Sequence, residues 1–181
     1  FKKPYLKSSN LLPNILISMG ATDERNMTKF VIEALISLEN KFTVNIILGP
    51  GYCFLKELEI VLEDCGFKYF IFIDPQDIVK VMSKADIAIV SFGVTSYELV
   101  ALKIPALYLC LTKDHKISSS LFEDNNLGKT IGLFSDASRK KINREVSSLL
   151  SNPEEVLKMH RSQSKIDISN MKKISNIIFS N

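Results

Sequence analysis

Short apolar runs alternate along this chain with longer stretches of helical periodicity. Asn14 to Met19, Thr43 to Leu48, Tyr69 to Ile73, Asp86 to Val90, Ala106 to Leu111 and Lys129 to Leu133 read as strands. Between them, Met27 to Leu38 places Phe30, Val31, Ala34, Leu35 and Leu38 on one helical face. Phe54 to Cys65, Ile78 to Lys84, Tyr97 to Leu102 and His115 to Asp124 read as further helices. Breakers punctuate the pattern: Gly49-Pro50-Gly51, Gly66 as a helix C′ residue, Asp74-Pro75 and Ile104-Pro105. Ser138 is placed to cap a helix over Lys140 to Leu150, and Pro153 opens a last helix that runs to about Lys173.

Strands separated by helices imply βαβ units and a parallel sheet. NILISM and DIAIVS are apolar throughout, as expected when helices cover both faces of a sheet. The predicted fold class is α/β: a Rossmann-like three-layer αβα arrangement with a six-stranded, mostly parallel sheet. Residues 14–152 form the predicted domain. Residues 1–13, with Pro4, Ser8, Ser9 and Pro13, read as an incoming linker, and 153–181 as a helical extension.

A length of 181 residues with 46% hydrophobic and 24% charged content is ordinary for one globular domain. The net charge is +3, and the basic residues are scattered apart from Arg139-Lys140-Lys141 and Lys172-Lys173. A nucleic-acid surface shows a denser stripe, so no nucleic-acid partner is expected. A mild positive field suits an anionic small ligand. Cys53, Cys65 and Cys110 are an odd set without metal spacing, which reads as three reduced thiols in a cytoplasmic protein. No apolar stretch reaches the roughly 20 residues of a membrane span, so no integral membrane segment is expected. The chain begins at Phe1 rather than Met, and it reads as part of a longer protein.

In a doubly wound sheet, ligands bind at the carboxyl ends of the strands. The loops that matter are then Gly20 to Asn26, Asp74 to Asp77, Ser91 to Ser96 and Thr112 to Lys116. Ser91-Phe92-Gly93-Val94-Thr95-Ser96-Tyr97-Glu98 is the most informative of them. A strand that ends in a small-residue turn and restarts as a helix directs unpaired N–H groups and a positive dipole end outward. Gly93 admits close approach to the main chain, Thr95 and Ser96 add hydroxyls, and Glu98 is placed to accept hydrogen bonds from a sugar diol. The plain alternative is a βα turn in which Ser91 and Thr95 are caps and Glu98 a solvated first-turn acid.

Gly20-Ala21-Thr22-Asp23 is a second small-residue turn, although GxGxxG and GK[ST] are both absent. Its plain alternative is a turn with Thr22 or Asp23 capping a helix. Asp77 reads as an N-cap. Asp114-His115-Lys116 follows the fifth strand on the same sheet edge. HExxH, GxSxG and a Cys/His pair on a common loop are all absent, so no catalytic residue, metal site or cofactor is assigned.

Two segments together carry a resemblance: ISMGATDERNMT, Ile17 to Thr28, and FIDPQDIVKVMSKADIAIVSFGVTSYELVALKIPAL, Phe72 to Leu107. Their order resembles the carboxyl-terminal half of GT-B-fold nucleotide-sugar enzymes. The pattern is similar to the UDP-sugar hydrolases of pseudaminic acid biosynthesis and the related spore-coat polysaccharide proteins, with the MurG glycosyltransferases more distant. The resemblance implies that Gly20, Ala21 and Thr22 face the domain cleft, and that the main chain near Phe72 and Ile73 meets uracil. It implies that Gly93, Val94, Thr95 and Ser96 hold the diphosphate and that Glu98 binds the ribose. Asp114 and His115 would approach the sugar, where relatives carry an Asn/Asp-Gln pair, so His115 is a departure. The catalytic His of the hydrolases belongs to an amino-terminal domain with no counterpart here. The implied function is the nucleotide-binding half of a UDP-sugar hydrolase, inactive by itself. A glycosyltransferase donor-binding domain and a non-catalytic nucleotide-sugar module fused to a sugar-activating enzyme are the alternatives.

Overall fold

A computed structural model of the chain describes residues 12–39 and 41–166. The expected linker, apart from Leu12 and Pro13, lies outside the described residues, as does the continuation of the last helix toward Lys173. The strands are β1 (Asn14–Ser18), β2 (Thr43–Leu48), β3 (Lys68–Ile73), β4 (Ile87–Ser91), β5 (Ala106–Cys110) and β6 (Lys129–Leu133). The helices are α1 (Met27–Ile36), α2 (Leu55–Glu63), α3 (Ile78–Met82), α4 (Val94–Ala101), α5 (Lys113–Asp124), α6 (Arg139–Ser151) and α7 (Pro153–Gln163). A 3-10 turn, Phe134–Asp136, follows β6 and was not expected from the sequence.

All six strands are parallel, in the order β3-β2-β1-β4-β5-β6. The order reverses between β1 and β4. That is the topological switch point, where the loops leaving two neighbouring strands diverge to opposite faces and open a crevice.

Two apolar cores sandwich the sheet. One side packs Ile15, Ile17, Val44 and Ile46 against Val31, Leu35, Leu58, Ile142 and Val146 of α1, α2 and α6. Val156 and Met159 of α7 join that core. The other side packs Leu16, Ala88, Val90 and Tyr108 against Val81, Met82 and Leu99 of α3 and α4. Each fully buried aliphatic side chain contributes about 1.5–3 kcal/mol, so these two faces hold the strand ends rigidly in place.

Two local expectations are corrected. Gly66 is not a left-handed helix terminus: α2 closes at Asp64, two residues earlier. α4 begins at Val94, three residues before Tyr97, which moves everything on it by nearly one turn.

Asp77, Thr112, Ser138 and Asn152 cap α3, α5, α6 and α7 through their side-chain oxygens. The cysteines are all free, with Cys110 fully buried and Cys53 exposed.

Candidate functional site

The switch point brings together the loops after β1 and β4. Gly20 has φ +96°, and a β-carbon placed on it would lie 3.7 Å from the Ser91 hydroxyl. These loops lead into α1 and α4, and the two helix N-termini differ in one decisive respect.

The α1 terminus is filled by the chain itself. Asp23 is only 6% exposed, and its carboxylate accepts the main-chain N–H of Met27 at 2.8 Å and of Thr28 at 2.9 Å. Burial pushes this carboxyl above the ordinary aspartate range, while the N–H donors oppose that shift. Asp23 thus realises the capping alternative for the first loop. A carboxylate already sits where a phosphate would need to sit.

The same loop is braced from β2. The Gly51 N–H donates to the Ala21 carbonyl at 3.0 Å. A side chain on Gly49 would overlap the Ala21 main chain, so the GPG turn is a close-approach device. The Tyr52 hydroxyl donates to Asn26 Oδ1 at 2.9 Å. Gly20, Ala21 and Thr22 remain exposed toward the crevice.

The α4 terminus is open. Val94 and Thr95 are the first helical residues, so their N–H groups have no intrahelical partner, and none reaches them from the other described residues. Gly93 is extended, with φ 172°, a conformation any residue adopts. A β-carbon there would meet nothing within 4 Å. The fold therefore does not need glycine at 93, and the place of its missing side chain is open space.

Ser96 is fully buried, and its hydroxyl accepts the Gly93 N–H at 3.2 Å while its own N–H donates to the Gly93 carbonyl at 3.0 Å. Ser96 braces the turn, and neither Ser91 nor Thr95 caps it. Glu98 is half-buried on the second turn, not a solvated acid on the first.

Phe92, only 5% exposed, anchors the turn from beneath. Its N–H donates to the Leu109 carbonyl at 2.9 Å. Its ring packs edge-on against Tyr108 at 5.3 Å and Phe122 at 5.1 Å, and Phe122 in turn meets Tyr97 at 5.1 Å. His115 lies beside the same ring, with centroids 6.3 Å apart. The His115 N–H donates to Thr112 Oγ1 at 3.1 Å, and its buried Nδ1 has no hydrogen-bond partner. Asp114 is exposed on the first turn of α5.

Phe72 packs against the core under α3 and α4, and Ile73 is 57% exposed at the end of β3. The residues expected at the site thus fall on one edge of the sheet. Gly20, Ser91, Gly93 to Thr95 and His115 cluster around the switch point, while Phe72 and Ile73 stand three strands away from β4. Sequence reasoning missed the brace from Gly49 and the role of Phe92. The GPG signal was present for the first; nothing in a single aromatic residue marks the second.

With that geometry, the neighbours of the fold are informative. MurG from Acinetobacter baumannii superposes with a TM-score of 0.76 at 20% identity, covering 97% of this chain and 54% of MurG. The chain has the fold of one half of MurG. HepE from Anabaena, solved in complex with UDP-glucose, matches with a TM-score of 0.66 at 15% identity, over 96% of this chain and 50% of HepE. The chain spans about half the length of these structures. In sequence, it is 34% identical over 98 residues to the uncharacterized protein MJ1062 of Methanocaldococcus jannaschii, covering 53% of this chain and 20% of that protein. No protein-family profile matches the chain. Among the described residues no helix is long and apolar enough to cross a membrane.

Proposed function

We propose that this chain is the donor-binding half of a GT-B enzyme that uses a UDP-sugar. The observation that carries this reading is the open N-terminus of α4 at the switch point, beside an α1 terminus already closed by Asp23. The N–H groups of Val94 and Thr95 and the dipole of α4 would take the diphosphate. Glu98, one turn along the helix, would accept hydrogen bonds from the ribose diol. The main chain at Phe72 and Ile73 would meet the base, and Asp114 and His115 the sugar. Gly20, Ala21 and Thr22 would form the opposite lip of the crevice. Base, diphosphate and sugar then lie in order across the sheet, from β3 past the switch point to β5.

In the reaction, the bond from the sugar C1 to the β-phosphate oxygen breaks, and its electron pair stays on that oxygen. The N–H donors of α4 stabilise the growing charge on UDP. The acceptor oxygen bonds to C1 and gives its proton to a base on the rest of the enzyme. An amino-terminal domain is the expected partner, and this half alone should turn over little, because half a cleft neither orders nor dehydrates the reaction centre.

Neighbours of this fold that are named as glycosyltransferases favour transfer to an acceptor other than water. The order of the motifs from Ile17 to Leu107 favours the second reading, hydrolysis, in which water is the acceptor and the same half holds the same leaving group. Calorimetric titration of this chain tests the shared claim. UDP should bind more tightly than UMP, and UMP more tightly than uridine. Equal affinities would remove the diphosphate site.

A further inference from the structure

We propose that two copies of this chain pair through the outer edge of β3, antiparallel about a twofold axis at Ile71. β3 is the last strand on its side of the sheet. The Asp74 N–H donates to the Leu48 carbonyl at 2.9 Å, so the main-chain groups of Phe70, Phe72 and Asp74 turn toward β2. Those of Tyr69, Ile71 and Ile73 alternate with them and turn outward, where no described strand lies. Such an edge is a template for another strand, and proteins usually blunt it with charge, proline or a bulge. From Tyr69 to Ile73 this edge has no charge, no proline and no register shift against β2. Tyr69 and Phe70 are exposed, and Ile73 is 57% exposed.

The sequence of the strand selects its own partner. Residues with outward main-chain groups exchange hydrogen bonds across an antiparallel pair, so Tyr69, Ile71 and Ile73 must oppose one another. An axis at Ile71 uses the whole strand: Tyr69 meets Ile73 of the second copy, and Ile71 meets its own equivalent. Residues directly opposite share a face of the sheet, so on the other face Phe70 meets Phe72 and Lys68 meets Asp74. The exposed apolar side chains are then covered by apolar neighbours. Lys68 and Asp74, both exposed at the ends of the strand, become two symmetric ion pairs. Moving the axis to Tyr69 or Ile73 shortens the overlap and parts these charges. The contact is self-complementary, so assembly closes at two copies.

The pairing rests on the strand alone, and it meets the nucleotide reading above at one point. The Ile73 main chain is also where the base would bind, so UDP and the second copy would compete for it.

Sedimentation equilibrium of the whole chain tests the pairing. Without nucleotide, wild type should be a reversible dimer. Lys68→Asp sets two carboxylates together at each end of the interface and should weaken the dimer about tenfold. The double variant Lys68→Asp/Asp74→Lys re-forms the ion pairs in reverse and should recover the wild-type affinity. Asp74 has φ 42°, so circular dichroism checks the fold of each variant, and Lys68→Asp by itself keeps the test if the double variant does not fold. A monomeric wild type overturns the proposal and leaves the edge to a different segment or partner. A dimer that Lys68→Asp does not weaken, or species larger than a dimer, also overturns it. Saturating UDP should separate the dimer. A dimer that UDP leaves intact removes the base from Ile73 and leaves the pairing in place.

Discussion

The carboxylate of Asp23 receives the main-chain N–H of Thr28 at 2.9 Å, and with it the N–H of Met27, so α1 carries its own anion. This one relationship separates two turns that look alike in sequence. Both are small-residue links between a buried strand and a helix, yet only α4 keeps its first N–H groups for a ligand.

Removing the cap should cost stability. Asp23→Ala is expected to destabilise the chain by about 1–2 kcal/mol in urea unfolding, the usual range for a lost N-cap.

The same residue predicts a pH dependence. Burial holds the folded carboxyl above the 3.8 of the free acid. A raised pKa means that the folded chain binds the proton more readily. The contribution of this group therefore falls as pH rises from 3.8 through the folded value. Asp23→Asn does not titrate. As pH falls from neutral toward 3.8, wild type should gain stability relative to Asp23→Asn. A change in the opposite sense would show that the N–H donors outweigh burial.

Gly93→Ala separates fold from binding. A β-carbon at 93 meets no protein atom, and the backbone is extended, so stability should change by less than about 0.5 kcal/mol. If the diphosphate occupies the open space beside Gly93, the methyl group takes part of that space, and UDP affinity should fall about tenfold or more, about 1.4 kcal/mol. Unchanged UDP affinity would place the diphosphate elsewhere.

Glu98→Ala should weaken UDP by about 1–3 kcal/mol, the loss of charge-assisted hydrogen bonds to the ribose. The same substitution should leave the affinity for 2′,3′-dideoxy-UDP unchanged, because that ligand has no diol. Equal losses for both nucleotides would mean that Glu98 acts through the fold of α4 rather than on the ribose.

Much of the architecture was legible because strands such as NILISM and DIAIVS are apolar throughout, a pattern that suits a parallel sheet covered on both faces. Strand order is a long-range property, so nothing in YFIFI marks β3 as the edge strand that it is. The start of α4 was hidden because its cap runs backwards. Ser96 reaches to Gly93 from inside the helix, so no Ser, Thr or Asp stands at the position where a helix is usually seen to begin. Asp23 was visible as a capping candidate. Its full role was not, because the left-handed residue Asn26 separates it from α1 and the geometry is not the ordinary one-residue cap. The brace of Gly49 against Ala21 joins positions on different loops: Gly49-Pro50-Gly51 marks a turn, and nothing along the chain names Ala21 as its partner.

The open α4 terminus is the central claim, and an amide NMR titration with UDP tests it most directly. The resonances of Val94 and Thr95 should shift on saturation, while those of Met27 and Thr28, already bonded to Asp23, should stay in place. Shifts at Met27 and Thr28 with none at Val94 and Thr95 would contradict the account.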